Sequence, residues 1–284
     1  MNLIAKKIKK TYTKIFLLRP KLLSTIIFIP FLYVLGWILA NPITLIGLGK
    51  EKISLIGTIL TFLLFVISLP KWFEIRWGIQ NTWKVLGINQ INGNEKLIFY
   101  FLKGFLYSII LISAILITII GNQWGNWLGR ISPNVFINCI LLIIGVGFAE
   151  ELIFRGWLLE ELKNQFGLRK ALIFQGSIFS MVHIGFDIPL WQMISILLGL
   201  FTLGILLALI RLKDNNSLWG CIGMHGGLVG GWFIANNGLI EISKGAPIWL
   251  VGPGITNTNP LGGIFGITLL ICFCSFYFLK LKIK

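Results

Sequence analysis

In VGFAEELIFRGW, residues 146–157, two adjacent acids and an arginine stand in a run that is otherwise apolar. Ionisable groups are expensive in membrane surroundings, each Asp, Lys or Arg costing about 2.5–3.5 kcal/mol at mid-helix on insertion scales. They persist there mainly where they pair or do chemistry. Two more apolar stretches carry the chain's two histidines: FQGSIFSMVHIGF (174–186) holds His183 and WGCIGMHGGLVGGWF (219–233) holds His225. Carboxylates and imidazoles in such settings point to a hydrolytic or proton-handling site.

The rest of the chain agrees with a membrane setting. Of its 284 residues 56% are hydrophobic and 12% charged, with a mean hydropathy of +0.86. Apolar runs of about 20 residues, each able to cross a hydrocarbon core of about 30 Å, fall roughly at 22–40, 53–70, 100–120, 135–159, 170–187, 190–210, 217–239 and 263–280. The third, fourth and fifth are the least clean, holding Lys103, the Glu150/Glu151/Arg155 group and His183. Backbone hydrogen bonds must close within lipid, so the expected fold is all-α: a polytopic helical bundle of about eight transmembrane helices, with no soluble module.

A formal net charge of +15 raises the question of nucleic acid, but the distribution excludes it. Nineteen basic residues fall before the first run, between alternate runs or at the end of the chain, against Lys50, Lys52, Arg130 and Lys244 on the other side. That bias places both termini in the cytoplasm. Residues 1–21 read as a basic membrane-surface segment attracted to anionic lipid, or as a topogenic signal alone; residues 22–284 read as the bundle. A cleaved leader does not fit the long apolar run that follows. Trp72, Phe73, Trp77 and Trp83, mixed with Arg76 and Lys84, suggest a helix at headgroup level over 71–96. VGPGITNTNPLGG (251–263) reads as an irregular loop. Cys139, Cys221, Cys272 and Cys274 match no metal spacing and imply no disulfide framework.

Glu151 and Arg155 are four apart with the acid first, the favourable order for a helical ion pair. Arg155 then neutralises Glu151 and leaves Glu150 about 100° round the helix. An under-compensated, desolvated Glu150 suits a general base; a purely structural salt-bridge network is the alternative. Gly223, Gly227 and Gly231 recur every four residues, as do Gly226 and Gly230, a spacing that lets helices approach closely in lipid. His225, His183 and Glu150 come out at similar depths, about 12, 20 and 14 Å from the cytoplasmic ends of their runs. A lone membrane histidine is more often a packing residue; two at matching depth with a carboxylate pair favour one shared site.

Ala149 to Gly156 (AEELIFRG) resembles the EExxxR motif of the intramembrane CAAX-protease and bacteriocin-processing family, and Phe179 with His183 resembles its FxxxH motif. His225 stands where the family's last motif begins, and the likeness extends over about residues 100–240. The resemblance implies an endopeptidase opening to the cytoplasmic side, related to type II prenyl-protein endopeptidases and bacterial immunity proteins. It implies that Glu150 activates water, that His183 assists, that Glu151 and Arg155 hold local geometry and that His225 stabilises the oxyanion. One position departs from the pattern: Val229 stands where the family usually has Asn or Asp, and valine neither ligates a metal nor donates a hydrogen bond.

Glu150, His183 and His225 provide the three donors that a catalytic zinc site takes, but no helical HExxH pair is present. The expectation is therefore glutamate-activated water with no required cofactor, zinc being the alternative. The expected partners are a peptide or prenylated protein substrate and membrane lipids, in a bacterial plasma membrane or an organellar equivalent. Two rivals stand beside the peptidase. One is a non-proteolytic relative that stabilises membrane proteins, favoured by Val229; the other is a proton-coupled transporter using Glu150 and the histidines as a relay.

Overall fold

The computed structural model describes residues 16–18, 21–42, 49–89, 95–185, 188–254 and 258–281. The basic segment expected over 1–21 lies outside these apart from 16–18 and Lys21. Between Lys84 and Val85 the chain divides into two compact units.

In the first unit, α1 (Lys21–Ala40) pairs with α2 (Lys50–Trp77). Their cores are aromatic: Phe28 stacks on Trp72 at 4.0 Å between ring centroids, and Phe16 meets Trp72 edge-on at 5.0 Å. The headgroup-level helix expected over 71–96 is corrected here. α2 runs on through Trp77, and Trp72 and Phe73 are fully buried. Buried Arg76 satisfies carbonyls just before and at the start of α1, donating to Phe16 O at 2.7 Å and Lys21 O at 3.0 Å. The helix stops at Gly78, whose φ of 67° suits glycine.

The second unit contains α3 (Glu95–Gly121), α4 (Pro133–Phe166), α5 (Leu168–Met181), α6 (Leu190–Lys213), α7 (Trp219–Ile234) and α8 (Ile264–Lys280). It is an all-α membrane bundle with one small addition: strands Gly125–Trp127 and Ile240–Ile242 pair antiparallel between α3 and α4 and after α7. α4 begins as its sequence dictates, with the Ser132 side chain accepting from Val135 N and Pro133 in the first turn.

Helices α1 to α8 fall where the eight apolar runs lie, but their lengths differ. Among the described residues, α1, α2, α3, α4 and α6 are long and apolar enough to cross a membrane. α5 has 14 residues, α7 16 and α8 17. Fourteen residues reach about 21 Å, short of the hydrocarbon core. His183 therefore does not sit inside a fifth spanning helix as the sequence suggests. It lies in the turn after α5, where Val182 and His183 close the last helical carbonyls. Non-helical backbone at such depth is tolerated where it lines a cavity.

α7 is the centre of the unit, and its two glycine series face two neighbours. On one side a side chain at Gly223 would strike the Phe101 carbonyl, and one at Gly227 would strike Ser108, both on α3. On the other, Gly226 lies against the backbone of Ile143 on α4, and Gly147 on α4 returns the contact at Gly226. Close approach on both flanks holds His225 between α3 and α4. Lys103, the charge that interrupts the third apolar run, is paired with Asp214 in the turn between α6 and α7. Burial holds the Asp214 carboxyl above the usual carboxylate range, and Lys103 works against that shift. All four cysteines are free.

Candidate active site

α4 is not regular where its acids sit. π-helical turns over Leu142–Val146 and Leu152–Leu158 flank the short α-helical piece Gly147–Glu151. Such bulges shift the phase of every later side chain and occur often at functional sites. Here they set both glutamates between two changes of register. The Arg155 carbonyl, inside the second π turn, accepts from Arg211 of α6. Arg211 also donates to Val85 O at 2.7 Å and reaches Glu160 at 3.1 Å. Glu160 in turn pairs with Lys163 at 2.5 Å.

The Glu151–Arg155 pair forms at 2.7 Å with both side chains fully buried. The same Glu151 oxygen is 2.6 Å from His225 Nδ1. A carboxylate only accepts, so Nδ1 carries the proton and Nε2 is turned away from Glu151. His183 is fixed in a parallel way, its Nδ1 donating to the Phe179 carbonyl at 2.7 Å. Both Nε2 atoms then face one atom: Glu150 Oε2 is 3.8 Å from His183 Nε2 and 3.8 Å from His225 Nε2. That oxygen is shielded from solvent and has no hydrogen-bond partner among the described residues.

Fully buried Phe179 joins these parts. Its ring lies under the Arg155 guanidinium at 3.9 Å and meets the His183 and His225 rings edge-on at 5.0 and 5.6 Å. The ring thus covers one face of the guanidinium, whose Nε and Nη2 have no hydrogen bond among the described residues.

Glu150, His183 and His225 open on a cavity of about 500 Å³, within the usual size of a small-ligand site. Val229 lines it too, one turn beyond His225. Its remaining walls come mostly from leucines and isoleucines of α3, α6 and α8, with Thr258–Leu261 at the far end.

Residues 132–230 match the family described as type II CAAX prenyl endopeptidase Rce1-like. This part of the chain is similar to CAAX-protease domains. Residues 5–81 match a domain of unknown function, DUF8676. No curated protein and no solved structure matches the chain. The matched region takes in α4 to α7 as far as Gly230, and so Glu150, Glu151, Arg155, Phe179, His183, His225 and Val229. The cavity walls from α3 and α8 lie outside it.

The structure brings together Glu150, Glu151, Arg155, Phe179, His183, His225 and Val229 and adds two residues that were passed over, Arg211 and Glu160. Both stand at the ends of apolar runs, where a charge reads simply as a boundary. Their signal is burial, since neither is more than 4% exposed. Among the described residues no group of three His, Cys, Asp or Glu meets the spacing of a metal site. No step below is routed through one.

Proposed function

We propose that this protein is an intramembrane endopeptidase in which Glu150 activates the attacking water. The observation that supports this most is the convergence of two imidazole Nε2 atoms on Glu150 Oε2 at the mouth of an apolar cavity. At 3.8 Å the groups are too far apart to bond to one another. They are close enough for all three to touch a reacting molecule.

Water bonded to Glu150 attacks the scissile carbonyl carbon and gives its proton to the carboxylate. The carbonyl π electrons move to oxygen and form a tetrahedral oxyanion. Collapse re-forms the carbonyl, breaks the C–N bond, and Glu150 returns the proton to the leaving amine. His183 Nε2 assists in placing the water. His225, held by Glu151 through Nδ1, acts as donor to the oxyanion through a protonated Nε2. Glu151 and Arg155 are positioning residues in this scheme.

The substrate is a peptide or prenylated protein segment, and the protein crosses a bacterial plasma membrane, or an organellar equivalent, eight times with both termini in the cytoplasm. The family resemblance implies an opening to the cytoplasmic side; the cavity's lining residues stand in the first and middle turns of α6 and the first two turns of α8. Val229 in the cavity wall favours a second reading, a non-proteolytic relative that binds and stabilises membrane proteins.

The deciding experiment uses quenched fluorescent peptides with the purified protein in detergent. Wild type should cleave, while Glu150→Gln should melt at the wild-type temperature and lose turnover. Cleavage retained by Glu150→Gln would remove Glu150 from the mechanism. Absence of cleavage by both proteins would favour the stabiliser.

A further inference from the structure

Each π turn of α4 passes over one carbonyl. A regular helix gives every N–H to the carbonyl four residues back. At the close of the second π turn the Leu159 N–H goes instead to Phe154 O, five residues back, and passes over Arg155 O. At the close of the first, the Gly147 N–H goes to Leu142 O and Ile144 O and passes over Ile143 O. A carbonyl that loses its helical donor in an apolar interior is costly unless another group serves it.

Both carbonyls face a neighbouring helix. Ile143 O lies against the bare backbone of Gly226 on α7, where a Cβ would strike it. Arg155 O accepts from the Arg211 guanidinium of α6, which is fully buried. Arg211 also donates to Val85 O at 2.7 Å and reaches the Glu160 carboxylate at 3.1 Å. Arg155 lies inside the π turn and Glu160 in the regular helix beyond it, so Arg211 grips α4 on both sides of the register change. Were that turn to relax to regular helix, everything past it would rotate by about 100° relative to Glu151. Glu151 reaches Arg155 across this turn, and the same Glu151 oxygen holds His225 Nδ1.

We propose that Arg211 is a positioning residue for the site. It serves the carbonyl that the second π turn passes over, fixes the register of α4 there, and so keeps Glu151 on His225 Nδ1. The effect on His225 is independent of the reaction; the effect on turnover rests on the peptidase reading.

The chain has two histidines, so ring-¹⁵N-histidine labelling of the full-length protein in detergent gives two NMR spin systems, assigned with His183→Gln and His225→Gln. In wild type both rings should carry a proton on Nδ1, that of His225 shifted downfield and protected from exchange by Glu151. Arg211→Met combined with Glu160→Gln removes the donor without stranding a carboxylate. This double variant should lose the His225 Nδ1–H resonance and keep that of His183, whose bond to Phe179 O lies within α5 and the turn after it. In the peptide assay its kcat should fall about 10²-fold, with KM unchanged.

An unchanged His225 resonance in the double variant overturns the proposal. If the double variant loses both resonances, Arg211→Lys decides, because a single ammonium cannot serve Arg155 O, Val85 O and Glu160 together. Its His225 Nδ1–H should exchange faster than in wild type while His183 is unaltered. No change at His225 in that variant, or loss at both histidines alike, overturns the proposal. A His225 resonance that responds as stated in a wild type that cleaves no peptide supports the role of Arg211 and removes the peptidase reading.

Discussion

Glu151 is where the residue-scale argument is most exposed. One carboxylate oxygen serves both Arg155 and His225, while the other has no hydrogen-bond partner among the described residues. Removing Arg155 leaves a buried acid with only an imidazole beside it, and breaking a buried pair costs about 3–5 kcal/mol. Arg155→Ala should therefore lower the melting temperature and membrane yield well below those of Glu150→Gln, whose side chain is 29% exposed. A variant as stable as wild type but inactive would move Arg155 from architecture to substrate binding.

Val229 tests the chemistry at the same scale. It faces the cavity that contains His225, so an amide there would reach the same space. One missing oxyanion donor costs about 10²–10³ in rate where it has been measured. Wild type should then be slow and Val229→Asn faster in the peptide assay. Fast wild-type turnover that Val229→Asn leaves unchanged would show that the oxyanion donors lie elsewhere. In a stabiliser, neither protein cleaves and the buried amide merely lowers stability.

At the scale of elements, α7 positions the site because glycine lets it sit against α3 and α4 at once. A Cβ at Gly226 would meet the Ile143 backbone, which begins the unusual stretch of α4 leading to Glu150. Gly226→Val should push the two helices apart and reduce folded yield together with cleavage. Gly145 on α4 has open space where its Cβ would stand, so Gly145→Ala should be tolerated. Equal melting temperatures for wild type and Gly226→Val would rule out close packing as the device that places His225. The glycine series were legible in the sequence because they repeat with the helix. The π turns were not: a single inserted residue leaves no periodic mark, and Leu152–Leu158 reads as ordinary apolar helix.

For the whole molecule, the metal question is answered by treatment rather than mutation. The proposed water attack needs only this chain's own groups, so cleavage should survive 1,10-phenanthroline and return unchanged when zinc is restored. Loss on chelation with recovery on zinc would revive a metal bound through Glu150, His183 and His225.

The sequence by itself determined that this is a membrane bundle, which of its few ionisable residues belong together and which family they resemble. Those properties are local: apolar length, the placement of lysine and arginine at run ends, and short motifs whose spacing survives any packing. Only the tertiary structure decided that Glu151 holds His225 as well as Arg155, across 74 residues of chain. It alone placed His183 in a turn beyond a short helix, buried Arg211 against the Arg155 carbonyl and ran the cavity away from the ends of α6 and α8 that carry their basic residues. These depend on how close two helices come and on where one of them slips register, and neither quantity is written in any single segment.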